Sequence, residues 1–527
     1  MSTDLPFLDP SAARSATSSA SAASAASSSI SDRSDLSAPG LSGLSGSFGH
    51  RSAARDALRG LAVGDAFGAQ FFVPENLPGL RERRLAAAEW PWTDDTEMAC
   101  SVFEVLRLRG SVDQYDLAQS FARRHDFDRG YGPAMNRLLR LVREGGSWQE
   151  LAAGLFDGQG SWGNGAAMRV APLGAWFAVD PAEAAAQAGR QARVTHTHPE
   201  AVAGAVAIAV AAACAARGRV RPVTGAQLLA TVEELTPEGR IRSGVAEARE
   251  LLSQPHADYA AHRLGNGRRV SAADTVPFAL WCAARHLEDF EEALWACASV
   301  GGDVDTTCAI VGGIIAARVG TEGIPAAWRA ATEALPEWVA EGELGEDLTR
   351  TALGDGVTPL RRPESIPAPK LVWTPGQWQR VRHGVRSLNM DEKWDAYLEG
   401  DQLLLHRSWT GGAVFRVTVS EDPAGWRPVA AWVESDPEFY RRGGDETESA
   451  FLELFLRAWY MDDTRPELWE RYSGLRRAEA AGEQERQEPT QPTQPTQPTQ
   501  PTQPTEPTEP TEPTEPMGPT EPAGPVA

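Results

Sequence analysis

Residues 299–307 are Ser299-Val300-Gly301-Gly302-Asp303-Val304-Asp305-Thr306-Thr307, and the apolar run 308–317 follows them directly. A Gly-Gly turn and two carboxylates ahead of such a run predict a loop that leads into the N-terminus of a buried helix. An aspartate in this position is also typical of a simple helix cap. However, a second acidic cluster, Thr93-Asp94-Asp95-Thr96, also precedes a helical pattern. Because a cap needs one carboxylate, four carboxylates in two loops indicate loops that are kept apart or a cation that they share.

The pattern of apolar residues from Arg51 to about Leu353 is helical, without the alternation typical of strands. This predicts an all-α core, a compact helical bundle whose loops gather polar groups at one end. Within its first helix, Gly60, Gly64 and Gly68 predict close packing of a neighbouring segment, and Asp65 is an acid that needs a partner there. Asp94 and a glutamate three residues later match a capping box.

The remaining chain divides by composition. Residues 1–50 are rich in Ser and Ala and predict a disordered segment, because they cannot bury enough apolar surface. The helical domain is predicted at 51–353 and a Pro-rich linker at 354–370. Short alternating runs and one amphipathic helix predict a small α+β domain at 371–472. Pro-Thr-Gln and Pro-Thr-Glu triplets predict a disordered tail at 473–527.

Charge and cysteine content narrow the function classes. The formal net charge is −22, which argues against a general nucleic-acid or membrane-surface binder. Five scattered cysteines without a C-x-x-C motif indicate reduced core thiols, and the N-terminus lacks the order of a secretion signal. The Ala-rich run 201–216 is too short to span a bilayer and predicts a buried helix. We expect a cytoplasmic protein, and its arginine-dominated basic content suggests a bacterial source.

Three further loops stand ahead of helical patterns. Residues 129–133 are Arg-Gly-Tyr-Gly-Pro, which is typical of a turn or of a backbone loop for a ligand. Residues 160–169 form a Gly/Asn loop that opens onto a helix, an arrangement whose exposed amides suit phosphate. His196 and His198 stand two residues apart, but no third His or Cys completes a zinc site.

Taken together, these motifs resemble the ADP-ribosylglycohydrolase family, the relatives of dinitrogenase reductase-activating glycohydrolase, over about residues 52–322. They occur in the family's order: G-L-A-V-G-D-A-F-G at 60–68, T-D-D-T at 93–96, R-G-Y-G at 129–132, G-N-G-A-A-M-R at 163–169, T-H at 195–196 and G-G-D-V-D-T at 301–306. The family's fold is an all-α bundle, which agrees with the helical pattern.

The resemblance implies a hydrolase that releases ADP-ribose from a modified protein side chain or a related conjugate. It implies two magnesium ions, with manganese as an alternative, and the hydroxyl and carboxylate ligands suit such hard cations. The implied metal ligands are Thr93, Asp94, Asp95, Asp303, Asp305 and Thr306. The implied catalytic residues are Asp94, Asp95 and Asp303. The implied substrate-binding residues are Gly130, Tyr131, Gly132, Ser161, Gly163, Asn164, Gly165 and His196. Nucleic acid would enter only as an ADP-ribosylated substrate.

One departure concerns proton transfer. Many family members have a glutamate shortly after the G-D-A-x-G segment, where this chain has Gln70-Phe71-Phe72 and its nearest acid is Glu75. Two alternatives therefore stay open. The chain could be a metal-dependent ADP-ribose-binding module without turnover. Alternatively, Asp303-Val304-Asp305-Thr306-Thr307 fits the D-x-D-x-T motif of a phosphatase fold, which requires a β-strand ahead of the motif.

Overall fold

The computed structural model describes residues 47–340, 347–354, 356–387, 392–461, 463 and 466–487. Residues 1–46 of the predicted disordered segment and residues 488–527 of the predicted tail lie outside the described residues. The first helix begins at Ser47, inside the segment that was predicted to be disordered. The last helix ends at Gln487, so the prediction of a tail from 473 was wrong for its first fifteen residues or so, whose Ala, Glu and Arg content favours a helix.

In residues 47–353 the regular secondary-structure elements that the structure describes are all helices, joined by loops and turns. The helices are α1 Ser47–Ala69, α2 Leu77–Glu82, α3 Asp94–Arg109, α4 Gln114–Arg124, α5 Pro133–Arg143, α6 Trp148–Ala153, α7 Leu155–Gly158, α8 Gly165–Met168, α9 Ala171–Trp176, α10 Pro181–Arg193, α11 Pro199–Arg217, α12 Gly225–Leu235, α13 Arg240–Glu250, α14 Ala257–Leu264, α15 Ala272–Arg285, α16 Phe290–Ala298, α17 Val304–Val319, α18 Ala326–Ala331, α19 Glu337–Ala340 and α20 Arg350–Leu353. Short 3-10 turns connect several of them, at Gln70–Phe72, Pro74–Asn76, Phe127–Arg129, Leu251–Ser253 and Thr321–Gly323. The sequence predicted an all-α core, and the structure confirms a mostly helical one.

The phosphatase alternative is excluded by this arrangement. Between residues 47 and 303 the structure describes no β-strand, and the element ahead of Asp303 is α16. The D-x-D-x-T residues therefore do not follow the strand that such a phosphatase requires.

Two helices at the centre of the bundle pack backbone against backbone. A Cβ added to Gly60 would lie 2.4 Å from the Gly312 carbonyl oxygen, and one added to Gly64 would lie 2.1 Å from that of Cys308. One added to Gly68 would lie 2.5 Å from the carbonyl oxygen of Val304. The glycine spacing thus serves close packing of α1 on α17, as predicted, and it brings Asp65 beside the start of α17.

The Ala-rich helix α11 is a core helix. Its length and mean hydropathy would suffice to cross a membrane, and it is the one such helix among the described residues. However, 89% of its apolar window is buried inside the protein. The prediction of a buried helix at 201–216 is confirmed.

The C-terminal part is a five-stranded antiparallel sheet with helices. Its strands are β1 Pro363–Ile366, β2 Trp394–Glu399, β3 Gln402–Arg407, β4 Ala413–Asp422 and β5 Gly425–Glu434, and its helices are α21 Pro375–His383, α22 Asp445–Met461 and α23 Pro466–Gln487. The strand order is β1-β5-β4-β3-β2. The segment 354–370, predicted as a linker, contributes the edge strand β1, because prolines are tolerated where one side of a strand needs no partner. The chain divides into two units after Arg477, so the end of α23 belongs to the second unit.

Helix α21 attaches the sheet to the helical bundle through buried polar contacts. Arg380 lies 3.2 Å from Glu183 of α10, and both side chains are buried. The amide of Gln379 donates to the Trp176 carbonyl at 2.8 Å, and the Gly376 N–H donates to Asp180 at 3.2 Å. The sheet is therefore fixed to the face of α10.

Candidate metal and ADP-ribose site

Asp65 joins the first helix to the first acidic loop. Its Oδ1 accepts a hydrogen bond from the Thr93 hydroxyl at 2.8 Å. Its Oδ2 accepts from the Thr93 N–H at 2.9 Å, the Thr96 N–H at 3.1 Å and the Thr96 hydroxyl at 2.6 Å. The acid within the apolar helix thus has its partners, and it fixes the N-terminus of α3 against α1. The sequence singled out Asp65 but did not assign it to the site.

The two distant acidic loops meet at this point. One carboxylate oxygen from each of Asp65, Asp95 and Asp305 lies within 4.8 Å of the other two. Asp95 Oδ1 is buried and has no hydrogen-bond partner among the described residues. Burial raises the pKa of Asp95 and Asp305 well above its usual range, and the charges of the neighbouring aspartates raise it further. These carboxylates need either protons or a cation.

The predicted hydroxyl ligands belong to the same cluster. The Thr93 hydroxyl lies 3.1 Å from Asp95 Oδ2, and the Thr306 hydroxyl lies 3.5 Å from that atom. The Thr306 N–H donates to Asp305 Oδ1 at 2.7 Å. Four of the six predicted metal ligands, Thr93, Asp95, Asp305 and Thr306, therefore belong to this cluster, whereas Asp94 and Asp303 act on it as neighbouring charges.

The first residues of these helices do not act as caps. Thr93 is the N-cap of α3 and Asp303 that of α17, and neither side chain accepts a capping hydrogen bond. The predicted capping box at Asp94 is wrong, because Glu97 turns away and accepts from the Tyr131 hydroxyl at 2.6 Å. By contrast, Asp289 of the neighbouring helix α16 does cap, accepting from the Glu292 N–H. The carboxylates of the two motifs are thus not occupied by helix capping.

Asp303 is positioned by two other loops. Its Oδ2 accepts from the Asn164 amide at 2.6 Å, and that amide also donates to the Thr275 hydroxyl at 3.1 Å. Its backbone N–H donates to the Asn266 carbonyl at 3.1 Å. A Cβ on Gly267 would come within 2.5 Å of the Asp303 Cβ, so a side chain there would displace the carboxylate. Asn164, predicted to bind substrate, therefore holds a predicted metal ligand.

The loop 130–132 lies beside the acidic cluster. Gly130 has φ +90°, and a Cβ there would lie 4.0 Å from Asp94 Oδ1. A Cβ on Gly132 would meet nothing within 4 Å. Tyr131 is buried, and its hydroxyl is engaged by Glu97. The backbone at the two glycines is thus accessible to a ligand, whereas the buried Tyr131 side chain anchors the loop through its hydrogen bond to Glu97.

The second glycine loop packs against His196. Added Cβ atoms on Gly163 and Gly165 would lie 3.3 Å and 2.9 Å from ring atoms of His196. The Gly163 N–H donates to the Ser161 hydroxyl at 3.2 Å, and both Ser161 and His196 are buried. The ring Nδ1 of His196 lies 2.8 Å from the Thr195 hydroxyl. Burial, and then the charge of Arg169, lowers the pKa of His196 to about 3, so its ring is neutral at physiological pH.

His198 has a structural role instead of a metal-binding one. Its Nδ1 accepts from the Glu200 N–H at 3.1 Å and so caps α11. Among the described residues, the acidic triad is the one His, Cys, Asp or Glu group close enough to hold an ion.

Sequence reasoning missed an exposed aromatic pair beside the 161–165 loop. The rings of Phe156 and Trp162 have centroids 4.7 Å apart, and these side chains are 45% and 40% exposed. The ring of His198 lies 6.0 Å from that of Trp162. Large apolar side chains are usually buried, so only the folded structure could identify this pair of tilted rings as aromatic surface open to solvent.

The position of the family's glutamate carries no acid. Gln70 donates back to the Ala66 carbonyl at 3.0 Å, and the Phe71 ring packs 5.1 Å from that of Phe67. Phe72 is 53% exposed, and Glu75 is exposed as well. Residues 70–72 thus contribute no carboxylate to the cluster.

The fold and the site together define a helical protein with a carboxylate site for hard cations, bordered by glycine loops. The model of the ADP-ribosylglycohydrolase family matches residues 49–357, and the chain belongs to this family. Family membership makes it a hydrolase of the glycosidic bonds of ADP-ribose.

Two of the similar proteins are named as hydrolases that act on ADP-ribosylated substrates, and a third is uncharacterised. The chain is 28% identical to ADP-ribosylhydrolase ARH3 of Gallus gallus over 301 residues, which cover 48% of this chain and 81% of that protein. It is 33% identical to an uncharacterised protein of Archaeoglobus fulgidus, over 48% of this chain and 83% of the relative. It is 27% identical to the ADP-ribosylarginine hydrolase Tri1 of Pseudomonas putida, over 48% of this chain and 67% of that protein. A solved ADP-ribosylglycohydrolase-related protein complex is similar with a TM-score of 0.41 and 29% identity, covering 54% of this chain and 93% of that one.

Proposed function

We propose that this protein is a magnesium-dependent hydrolase that cleaves the bond between ADP-ribose and a modified protein side chain or related conjugate. The observation that carries the proposal is the convergence of Asp65, Asp95 and Asp305, with one buried Asp95 oxygen that has no partner among the described residues. A buried carboxylate oxygen without a donor is costly unless a cation or a proton compensates it. The carboxylate and hydroxyl oxygens of this cluster are hard donors, which suit magnesium or manganese.

Two ions would be held by Thr93, Asp94, Asp95, Asp303, Asp305 and Thr306. Asp65 Oδ2 already accepts three hydrogen bonds, so Asp65 contributes mainly by positioning Thr93 and Thr96. When bound, the cations would orient the ribose hydroxyls and lower the pKa of a nearby water.

Asp94 is our candidate for proton transfer. It adjoins Gly130, on the side of the loop that is open to a substrate. Burial, and then the charge of Asp65, raises the pKa of Asp94 to about 7 in the absence of cations. Bound cations would lower this pKa, so Asp94 would be ionised and ready to accept a proton, and its position beside Gly130 makes it the candidate.

The reaction is a hydrolysis at the anomeric carbon of the distal ribose. The water oxygen forms a bond to that carbon, and the bond from the carbon to the side-chain nitrogen or oxygen breaks with its electron pair on the leaving atom. Asp94 takes one proton from the water and returns it to the leaving atom. Asp303, fixed by Asn164, and Asp95 stabilise the positive charge that develops on the ribose ring.

The rest of ADP-ribose would lie along the glycine loops. Backbone amides at 130–132 and 161–165, apart from the Gly163 N–H that donates to Ser161, would offer donors for the diphosphate. The neutral ring of His196, buttressed by Thr195 and Arg169, borders the second loop. The exposed surface of Phe156 and Trp162 provides a stacking platform for the adenine ring.

One observation favours a second candidate, an ADP-ribose-binding module without turnover. The position where many relatives have a glutamate is occupied by the Gln70–Phe72 turn, and Phe72 cannot transfer a proton. The two candidate functions require the same metal site and the same ADP-ribose-binding site, and they differ only in whether the bond to ADP-ribose is cleaved.

The test is release of ADP-ribose from arginine-, serine- and nucleobase-linked substrates with magnesium, measured by chromatography. We expect release from at least one of them, loss of release with EDTA, and loss with Asp303→Asn. The matched control is Asp289→Asn at the cap of α16, since asparagine caps a helix as well as aspartate does. Magnesium-dependent binding without release would favour the second candidate, and release that survives both EDTA and Asp303→Asn would refute the metal mechanism.

We also propose a cytoplasmic location. All five cysteines are buried and unpaired, which fits a reducing compartment.

A further inference from the structure

His196 lies at the end of a chain of hydrogen bonds that begins in the core of the bundle. The guanidinium of Arg169 donates to the Thr195 hydroxyl oxygen at 2.8 Å, and that oxygen lies 2.8 Å from Nδ1 of His196. Arg169 and Thr195 are completely buried, and His196 is 5% exposed. The three side chains therefore connect the interior to the ring that borders the 161–165 loop.

Arg169 is held in one orientation by its other contacts. Its Nε donates to the Gln191 side-chain oxygen at 2.9 Å, and one of its terminal nitrogens lies 3.4 Å from the sulfur of Met98. The Gln191 amide in turn donates to the Ala166 carbonyl at 2.9 Å. Burial lowers the pKa of Arg169 to about 9, so the group is still a charged guanidinium at neutral pH. A guanidinium donates hydrogen bonds and accepts none.

The direction of the hydrogen bonds follows from this. Because Arg169 donates to the Thr195 oxygen, the hydroxyl proton of Thr195 needs a different partner. Among the described residues, Nδ1 of His196 is the one acceptor within hydrogen-bond distance of that hydroxyl. A buried hydroxyl without an acceptor is costly, so the Thr195 proton points to Nδ1. Nδ1 then carries no proton, and in the neutral ring the proton lies on Nε2.

Nε2 faces the part of the loop where side chains are missing. Cβ atoms added to Gly163 and Gly165 would lie 3.3 Å and 3.0 Å from Nε2, so glycine at both positions leaves this atom uncovered. Nε2 has no hydrogen-bond partner among the described residues, yet it is not one of the enclosed polar atoms that lack a partner, so it retains contact with solvent. The protonated Nε2 is thus a donor beside backbone that a ligand can approach.

We propose that Arg169 and Thr195 are positioning residues that hold His196 as its Nε2–H tautomer, so that the ring donates a hydrogen bond to a diphosphate oxygen of ADP-ribose. The opposite tautomer would direct the Nε2 lone pair at that oxygen and repel it. The identity of the ligand rests on the proposed function, whereas the tautomer is a property of the free protein. The two can therefore be tested separately.

The tautomer is measured by nitrogen NMR of the full chain with isotopically labelled histidine, without ligand, near neutral pH. The shifts of the two ring nitrogens show which one carries the proton, and His196→Ala identifies the resonances of this ring. We expect a single tautomer with the proton on Nε2, and a change in the Nδ1 shift when Thr195→Val removes the hydroxyl. A ring that carries its proton on Nδ1, a ring that populates both tautomers, or an Nδ1 shift that Thr195→Val leaves unchanged would overturn the inference.

The effect on binding is measured by calorimetric titration of the full chain with ADP-ribose in magnesium. We expect Thr195→Val to weaken binding about tenfold, as for the loss of one hydrogen bond to a charged group, and Thr195→Ser, which retains the hydroxyl, to bind as wild type does. In the His196→Ala background, Thr195→Val should change the affinity less than about twofold, because Thr195 acts through the ring. The matched control is Thr236→Val, at another buried threonine, whose hydroxyl donates to the Val232 carbonyl; it should leave the affinity unchanged.

The double variant separates positioning from a merely structural role. A loss with Thr195→Val that is equally large in the His196→Ala background would overturn the inference, and so would wild-type affinity in Thr195→Val. Failure of the wild-type chain to bind ADP-ribose would refute the proposed function and the ligand named here, while the NMR spectrum of the free chain would still decide the tautomer.

Discussion

Gly64→Ala is the sharpest test of how the acidic cluster is assembled. The added Cβ would lie 2.1 Å from the Cys308 carbonyl oxygen and 2.7 Å from its carbon, whereas ordinary contacts begin at 3.4 Å. Both atoms belong to the backbone of α17, so no side-chain rotation can relieve the overlap. The two helices must therefore move apart next to Asp65 and Asp305.

The cost follows from overpacking. Such insertions destabilise a well-packed core by about 1–3 kcal/mol, and the backbone contact places this one near the upper end. For a domain of this size we expect the melting temperature to fall by about 6 °C. Because Asp65 follows Gly64 directly, we also expect magnesium affinity to fall about 10- to 100-fold, as for changes that misplace metal ligands.

The measurements are thermal unfolding and calorimetric titration with magnesium. The matched control is Gly474→Ala in α23, where an added Cβ meets nothing within 4 Å and alanine favours the helix. If Gly64→Ala unfolds at the wild-type temperature and binds magnesium with wild-type affinity, the close packing of α1 on α17 does not determine the cluster.

Three further predictions follow from the site and from the junction with the sheet. In EDTA, the pKa of Asp94 is about 7 in the folded protein against 3.8 for a free aspartate, so the free energy of unfolding should fall as pH rises from about 4 to about 7. Magnesium should flatten this dependence in chemical denaturation, and a stability that rises over the same range would contradict the assignment. Asn164→Ala should lower the rate of ADP-ribose release about 10- to 100-fold by freeing Asp303, while Asn164→Asp, which introduces repulsion, should be worse; equal rates for wild type and both variants would refute this role. Arg380→Ala should cost about 3–5 kcal/mol in urea unfolding because it removes one member of the buried pair that Arg380 forms with Glu183, and a loss below 1 kcal/mol would show that the junction does not depend on this pair.

The sequence allowed the main elements of the site to be predicted because each motif is local. Helical spacing from Arg51 onward predicted the bundle, and acidic loops at two helix starts predicted the cluster of Asp95 and Asp305. The glycine spacing from Gly60 to Gly68 predicted close packing, which the structure confirms against α17.

Contacts between distant loops could not be predicted in this way. Nothing in the local sequence of Asn164 indicates that its amide holds Asp303, 139 residues later. The capping box at Asp94 was wrong because tertiary hydrogen bonds to Tyr131 compete for Glu97. The helix at 473–487 was missed because the adjacent Pro-Thr repeats dominate the composition of that region.

The pairing of residues 331–334 with Trp90 and Trp92 bears on where the catalytic unit ends. The last of the family's motifs ends at Thr306 and the resemblance read from the sequence ends near residue 322, yet the family match continues to 357. A truncation at 322 would keep every proposed metal ligand and both glycine loops. It would remove residues 331–334, which pair with Trp90 and Trp92 just ahead of Thr93. A fragment that ends at 322 would therefore lose contacts that hold the segment ahead of Thr93, although the lost residues supply none of the proposed ligands.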